Sequence, residues 1–405
     1  MDTVSPVMPS LPAEVDFEQE VGHVGELLAR AMRSLVGAIP GGPYRPQQLA
    51  RALGLNKNVS SRVLAATGQK DPIATVHCMP GPECLRQLTR AAGRKGVDAA
   101  VVEDAESAIE SFERLLLAAG GDRAALDAII GGWLPDARQR FETAAKQMMF
   151  KGTASLKGVM TETELSATFI HPTSSSNNLD LLVLSGLVGV RRLRPGVPVY
   201  ISVLHSRRAQ LRSIAEAGRQ LEDAILRPFS TPSAEIEARE AESYFYAVLR
   251  GKAVGPASAV DVFMTEFIPN GSVAFGTPER PSVWISSINE IPAKTQVNDV
   301  FVHKSVWKNI EPELRLYDTT FHGSVGPKDL HSEVRRLPIT ESIQALGHGA
   351  AGFRNGLVPN YVEMIRRVCD QRGWIADDFR GVRCQISYPF YGLQAAIVFQ
   401  LPTKA

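Results

Sequence analysis

The sequence predicts an α+β protein, with an all-α N-terminal domain followed by a mixed α/β C-terminal domain. Three observations carry this. Through the first 150 positions apolar residues recur at three- and four-residue spacing, the period of one helix face. Beyond Gly152 the pattern turns to alternation, strictest at Val197, Val199, Ile201 and Val203, the period of a strand with one buried face. A chain of 405 residues, 44% hydrophobic and 21% charged, is long and apolar enough for two or three ordinary globular cores. The expected boundaries are a tail over residues 1–15, a helical domain over 16–150, and a mixed domain over 151–405 that senses an effector or mediates assembly.

Residues 16–39 form the first expected helix, with Val21, Val24, Leu28, Ala31 and Leu35 on one face and acids toward its start, favourable against the helix dipole. Pro40-Gly41-Gly42-Pro43 stops it. Residues 83–92 and 99–119 read as helices ended by Gly93 and by Gly120-Gly121, Asp122 caps a short helix, and Pro135 opens another that runs through Met149. In the second part, residues 165–170 and 197–204 read as strands flanking a polar loop and the apolar run 179–190. Helices are expected over 209–226 and 233–249, strands over 259–268, 282–288 and 299–306, and a helix over 359–372. Residues 382–388 and 393–401, joined by a short turn with Pro389 and Gly392, read as a closing hairpin.

The most informative stretch is residues 45–67, RPQQLARALGLNKNVSSRVLAAT. Pro46 suits the first turn of a helix, where its missing N–H is not needed. Leu49, Ala50 and Leu53 share one face, Gly54 suits a left-handed helix end, and Asn56 is a good cap for a second helix carrying Val59, Val63 and Ala66. Two short helices around a glycine turn describe a helix-turn-helix, which sets its second helix into the DNA major groove. The segment resembles the helix-turn-helix of bacterial transcriptional regulators of the IclR type, over about these residues. There an "LA...LGL" helix is followed by a lysine-containing turn and an "SR" pair, here Ser61 and Arg62. Ser60 stands where that family usually has a β-branched apolar residue, and no β-hairpin wing is visible after Thr67. The resemblance implies contact with double-stranded DNA. Residues 41–100 hold nine lysines and arginines against three acids, a net +6 inside a chain that is +1 overall, the footprint of a phosphate-binding module. Asn56, Lys57, Asn58, Ser61 and Arg62 are the candidates for the groove, and Arg45, Arg51 and Lys70 for the phosphates.

Other chemistry is sparse. No Walker A, dinucleotide-binding, HExxH or GxSxG motif occurs, so no catalytic residue, cofactor or metal is expected. The eight histidines, at 23, 77, 171, 205, 303, 322, 331 and 348, lack metal-ligand spacing. Four scattered cysteines without a CxxC pair suit reduced, partly buried thiols of a cytoplasmic protein, which DNA binding would make nucleoid-associated. No apolar run approaches the length of a membrane span. Arg191, Arg192 and Arg194 form the one further cluster, able to grip a carboxylate or phosphate effector or simply to guard a sheet edge. The leading expectation is therefore a DNA-binding transcriptional regulator, homo-oligomeric, with a small-molecule effector. An enzyme with its site in the mixed domain, or a protein-interaction scaffold, are the alternatives.

Overall fold

The computed structural model describes residues 17–174, 177–204, 214–241, 244–321, 323–329, 331–338 and 340–404. The expected tail, His205 and His322 lie outside them. The fold is mixed α+β, and the chain divides into two compact units, one closing at Glu142 and the other opening at Thr143.

The first unit is helical. Its helices are α1 (Phe17–Ala38), α2 (Pro46–Leu53), α3 (Lys57–Thr67), α4 (Pro72–Cys78), α5 (Pro82–Arg94), α6 (Ala99–Ala118) and α7 (Arg123–Trp133). Local chemistry sets these starts. Asp71, Asp98 and Asp122 each accept a hydrogen bond from a backbone N–H of the turn they open, at 2.9, 2.8 and 2.7 Å. Val21, Leu28, Met32 and Leu35 of α1 are fully buried, and the same core takes in Val63 of α3, Val76 of α4, Leu85 of α5 and Phe112 of α6. Gly25 makes the closest approach possible, because a Cβ there would meet the Pro72 carbonyl oxygen at 2.0 Å. The next helix, α8 (Pro135–Lys157), contains the division between the units. The composition change expected near residue 150, with its break at Gly152, therefore falls inside a continuous helix.

The second unit is built on a six-stranded sheet, ordered β10 (Ile343–His348), β11 (Phe379–Ser387), β8 (Ala293–His303), β1 (Val159–Pro172), β2 (Asn178–Arg192), β6 (Val260–Val273). Only the β1/β8 pairing is parallel; the others are antiparallel. One face packs Phe169, Phe301 and Phe379 against α10 (Tyr361–Asp370), which contributes Met364, Ile365 and Val368. The opposite face packs Ile170, Val300 and Ile386 against a three-stranded sheet of β7 (Ser282–Ile288), β12 (Leu393–Gln400) and β9 (Glu313–Asp318). A further three-stranded sheet, β3 (Val199–Leu204), β5 (Tyr244–Leu249) and β4 (Ile236–Ala241), shares a core with α9 (Ile214–Ala224) and with Val190 and Val262.

Two expectations are corrected. Residues 233–249 are not a helix but the antiparallel pair β4 and β5, in which Ile236 is buried while Arg239 faces out. The acidic-and-alanine composition suggested a helix, but the apolar spacing is that of a strand. Likewise 382–388 and 393–401 are no hairpin. β11 pairs with β8 and β10 in one sheet, β12 with β7 and β9 in another. Tyr388 and Gly392, both at positive φ (51° and 84°), carry the chain from sheet to sheet. β12 is buried on both faces over seven of its eight residues, so it needs a neighbour on each edge.

Between β8, β11 and α10 lies a buried ionic network. Arg383 donates through Nε and Nη2 to Asp299 at 2.8 and 2.7 Å, and the Tyr361 hydroxyl donates to Asp299 Oδ2 at 2.7 Å. Two of the three remaining guanidinium hydrogens reach the carbonyls of Phe353 and Arg354 at 2.9 and 3.0 Å. Removing one partner leaves the other as a buried charge without compensation. Asp299→Asn should therefore cost about 3–5 kcal/mol in urea unfolding, while Asp299→Leu combined with Arg383→Met should cost less than the two single variants summed. Strict additivity would show the two groups to be energetically independent.

Candidate functional site

The 45–67 segment is built almost entirely by local interactions. Arg45 N–H donates to Gln48 Oε1 at 2.9 Å, Pro46 opens α2, and Gly54 at φ 69° ends it. Asn56 then accepts from Asn58 N–H at 2.8 Å and starts α3. Leu49, Ala50 and Leu53 of α2 are buried, as are Ser60, Val63 and Ala66 of α3. The buried stripe of α3 keeps Val63 and Ala66 as expected and differs at one member: Ser60 is fully enclosed and Val59 only half-buried. The Ser60 hydroxyl has no hydrogen-bond partner. After α3 the chain passes into α4 rather than into strands.

Asn56, Lys57, Asn58, Ser61 and Arg62 are all exposed, as are Arg45, Arg51 and Lys70. Arg62, however, turns back onto the protein. Its Nε and Nη2 donate to the carbonyls of Cys78 and Met79 at 3.3 and 3.0 Å. Arg123 reaches the same helix end from the other side, at Val76 and Met79, 2.9 and 3.2 Å away. Two guanidinium groups thus satisfy the last carbonyls of α4 and place positive charge at the negative end of its dipole. Arg123 in turn pairs with Asp127 at 3.0 Å. Burial alone would raise the Asp127 carboxyl, but the His77 hydrogen bond and the Arg123 charge outweigh it and hold the group below its usual range. Arg33 of α1 likewise caps α3, donating to Thr67 O at 2.8 Å. Part of the basic excess is also consumed: Arg86 is held by both oxygens of Glu113, and Arg90 lies 3.8 Å from Glu83. Arg45, Arg51, Lys57 and Lys70 have no carboxylate at ion-pair distance among the described residues.

The three arginines at the end of β2 do not form one grip. Neighbouring side chains on a strand point to opposite faces. Arg191 pairs with Glu162 at 2.7 Å, and Arg194 donates to the Leu156 carbonyl. Arg192 is 94% buried, with 6% of its surface exposed, and donates to the carbonyls of Val197, Leu249 and Arg250. Burial without a carboxylate partner pushes its pKa down.

A buried polar patch escaped the sequence reading. On the face of the main sheet turned toward β7 and β12, Glu164 and Ser166 of β1 lie beside Gln296 and Asn298 of β8. Asn289 donates to Glu164 Oε2 at 2.6 Å and to Ile291 O at 2.8 Å, while Ser287 bridges Gln296 and Asn298. Asn289 Oδ1, Gln296 Oε1 and Asn298 Nδ2 are left without partners. Burial pushes the Glu164 carboxyl up to about 8 against the Asn289 hydrogen bond, with the Glu290 charge adding to the rise. The available signal was the run of polar residues at every second position, Glu164, Ser166 and Thr168 in one strand and Gln296 and Asn298 in another. Among the described residues no group of three or more histidine, cysteine, aspartate or glutamate side chains is placed to hold a metal ion, and no helix is long and apolar enough to cross a membrane.

Comparison with family models, with curated proteins and with solved structures finds no match for this chain.

Two outcomes follow from this geometry. Ser60→Ala removes a buried hydroxyl that has no partner, so thermal unfolding should show the N-terminal unit stabilised by about 1 kcal/mol; a loss of stability would mean the hydroxyl is hydrogen-bonded. For Glu164, a folded pKa of about 8 lies above the ordinary value of 4.5. The group's contribution is fully present below the unfolded value and is lost as pH rises through the folded one. The stability of Glu164→Gln relative to the parent should therefore climb between about pH 4.5 and 8 and level off above, in urea titrations across that range. A difference that does not change with pH would place the carboxyl in ordinary solvent.

Proposed function

We propose that the chain is a DNA-binding regulator that uses α2 and α3 as a helix-turn-helix. One observation carries the reading. The exposed side of α3 and its surroundings present Lys57, Asn58 and Ser61 with Arg45, Arg51 and Lys70, none of the four basic groups being neutralised by a carboxylate among the described residues. Lysines and arginines left unpaired on one side of a helix pair suit phosphate contact. Asn and Ser are side chains that read base edges in the major groove. Arg62 takes a different role in this reading: it holds α3 against the end of α4 and so fixes the angle of the reading helix. The second unit would then supply sensing or assembly, and a two-fold dimer is the simplest arrangement for paired half-sites. A second reading, an enzyme, draws on Glu164 and the unpartnered amides around it.

Fluorescence anisotropy of the full chain with a random-sequence duplex, over a salt series, tests the proposal. Lys57→Ala and Lys70→Ala should each lower the slope of log affinity against log salt by about one. Asn58→Ala should weaken only a duplex selected from a random pool, by about 1–3 kcal/mol. Arg62→Ala should also lower the melting temperature, since it uncaps α4. Salt slopes unchanged in both lysine variants would remove α3 from the interface.

A further inference from the structure

Arg192 poses a question that its hydrogen bonds do not answer. Its guanidinium is buried, yet every partner it has is a neutral carbonyl: Val197 at 2.8 Å, Arg250 at 3.3 Å, and Leu249. Of five N–H donors these take three, and none meets a carboxylate among the described residues. A charge removed from water without a counter-charge is costly. Arg192 also lines a cleft of about 400 Å³, within the range of small-molecule sites. Arg239, Arg250 and Lys252 line the same cleft, together with apolar walls that include Pro198 and Val248. Glu237 is the one carboxylate among the lining residues, and it is shared: Arg239 lies 2.8 Å from it and Arg250 3.2 Å. Four cations and one acid thus line the same cleft.

We infer that this cleft binds a small, multiply charged oxyanion, specifically the phosphate group of a phosphate monoester. The charge excess suits a dianion, and three guanidinium groups offer paired N–H donors matched to phosphate oxygens. Arg192 is held rigid by three carbonyls, so it supplies a fixed point of charge at no further cost in side-chain ordering. Arg239, Arg250 and Lys252 are exposed, so the cleft can be reached from solvent. Glu237 competes with the ligand for Arg239 and Arg250 and so weakens binding. The inference rests on the cleft alone and is independent of DNA binding by the helical unit.

Isothermal titration of the full chain tests it, with glycerol phosphate and inorganic phosphate as probes and sodium chloride at equal ionic strength as the blank. Saturable binding of glycerol phosphate is expected. The double variant Arg250→Gln/Lys252→Gln should weaken it about tenfold or more. Glu237→Gln should tighten it, because two arginines lose their competing carboxylate; a merely structural role for Glu237 would give no such gain. Arg194→Gln, which changes a residue outside the cleft, should bind as the parent does. Heats equal to the chloride blank would overturn the proposal, as would unchanged affinity in the double variant. Binding of inorganic phosphate with no binding of the monoester would overturn the ligand class. If the double variant fails to fold, the sign of the Glu237→Gln effect decides: no tightening refutes the site.

Discussion

The pairing of Asp299 with Arg383 is the constraint on which the second unit depends. A carboxylate and a guanidinium taken out of water are tolerated only in near-ideal geometry with further hydrogen bonds to the remaining donors. Here that requirement fixes four pieces of chain: β8 through Asp299, β11 through Arg383, α10 through Tyr361, and the 353–354 turn through its carbonyls. β1 lies parallel on the other edge of β8, and β2 pairs along β1 over twelve positions between Leu179 and Arg192. The far end of β2 delivers Arg192 to the β5 carbonyls. One buried arginine is thus fully compensated by charge, and a second, one strand system away, is compensated only by dipoles.

That contrast extends through the molecule. Arginine appears here in three physical situations. Arg33, Arg62 and Arg123 terminate helices, supplying hydrogen bonds to carbonyls that the helix itself cannot satisfy. Arg86, Arg191 and Arg383 pair with carboxylates. Arg45 and Arg51 are exposed with neither kind of partner recorded for the guanidinium, and Arg192 is buried with carbonyls alone. The first two situations explain themselves within the fold. The third is charge that no carboxylate among the described residues neutralises; it occurs beside α3 and in the cleft of the second unit, and Arg380, which donates only to the Val306 and Trp307 carbonyls, shares it.

Legibility followed the range of the interactions involved. The helices of the first unit could be read because their signals are local: Gly54, Asn56, Asp98 and Asp122 act within three residues of where they stand. Strands could be located but not paired. Residues 382–388 and 393–401 look like a hairpin until β8 and β9, each tens of residues earlier, compete for their edges. Residues 233–249 look helical because glutamate and alanine favour helices, and sheet context overrode that preference. The candidate residues divide in the same way. Exposure of Lys57, Asn58 and Ser61 follows from the local stripe. The commitment of Arg62 depends on carbonyls sixteen and seventeen residues on, and the divergence of Arg191, Arg192 and Arg194 depends on strands far along the chain. The Glu164 patch needed β1 beside β8, a parallel contact that no short stretch announces.

The phase of α3 ties these threads together. At about 100° per residue, burying Ser60, Val63 and Ala66 puts Ser61 and Ala65 on the outermost line of the helix, with Gly68 at its C-terminal end. Lys57 and Asn58 flank that line, and Arg62 lies farther round, on the side where α4 ends. Had Val59 been buried with Val63 and Ala66 in place of Ser60, the inward line would turn toward Arg62 and the outer line toward Lys57. With Ser60 inward, Arg62 lies at the margin of the outer face, from which it reaches the Cys78 and Met79 carbonyls. Small residues on the outermost line let a helix backbone come close to a surface, and the flanking polar groups then reach past it. A helix with a large side chain at position 61 or 65 would be held off by that side chain, so close approach to this face depends as much on the absence of bulk as on the presence of charge.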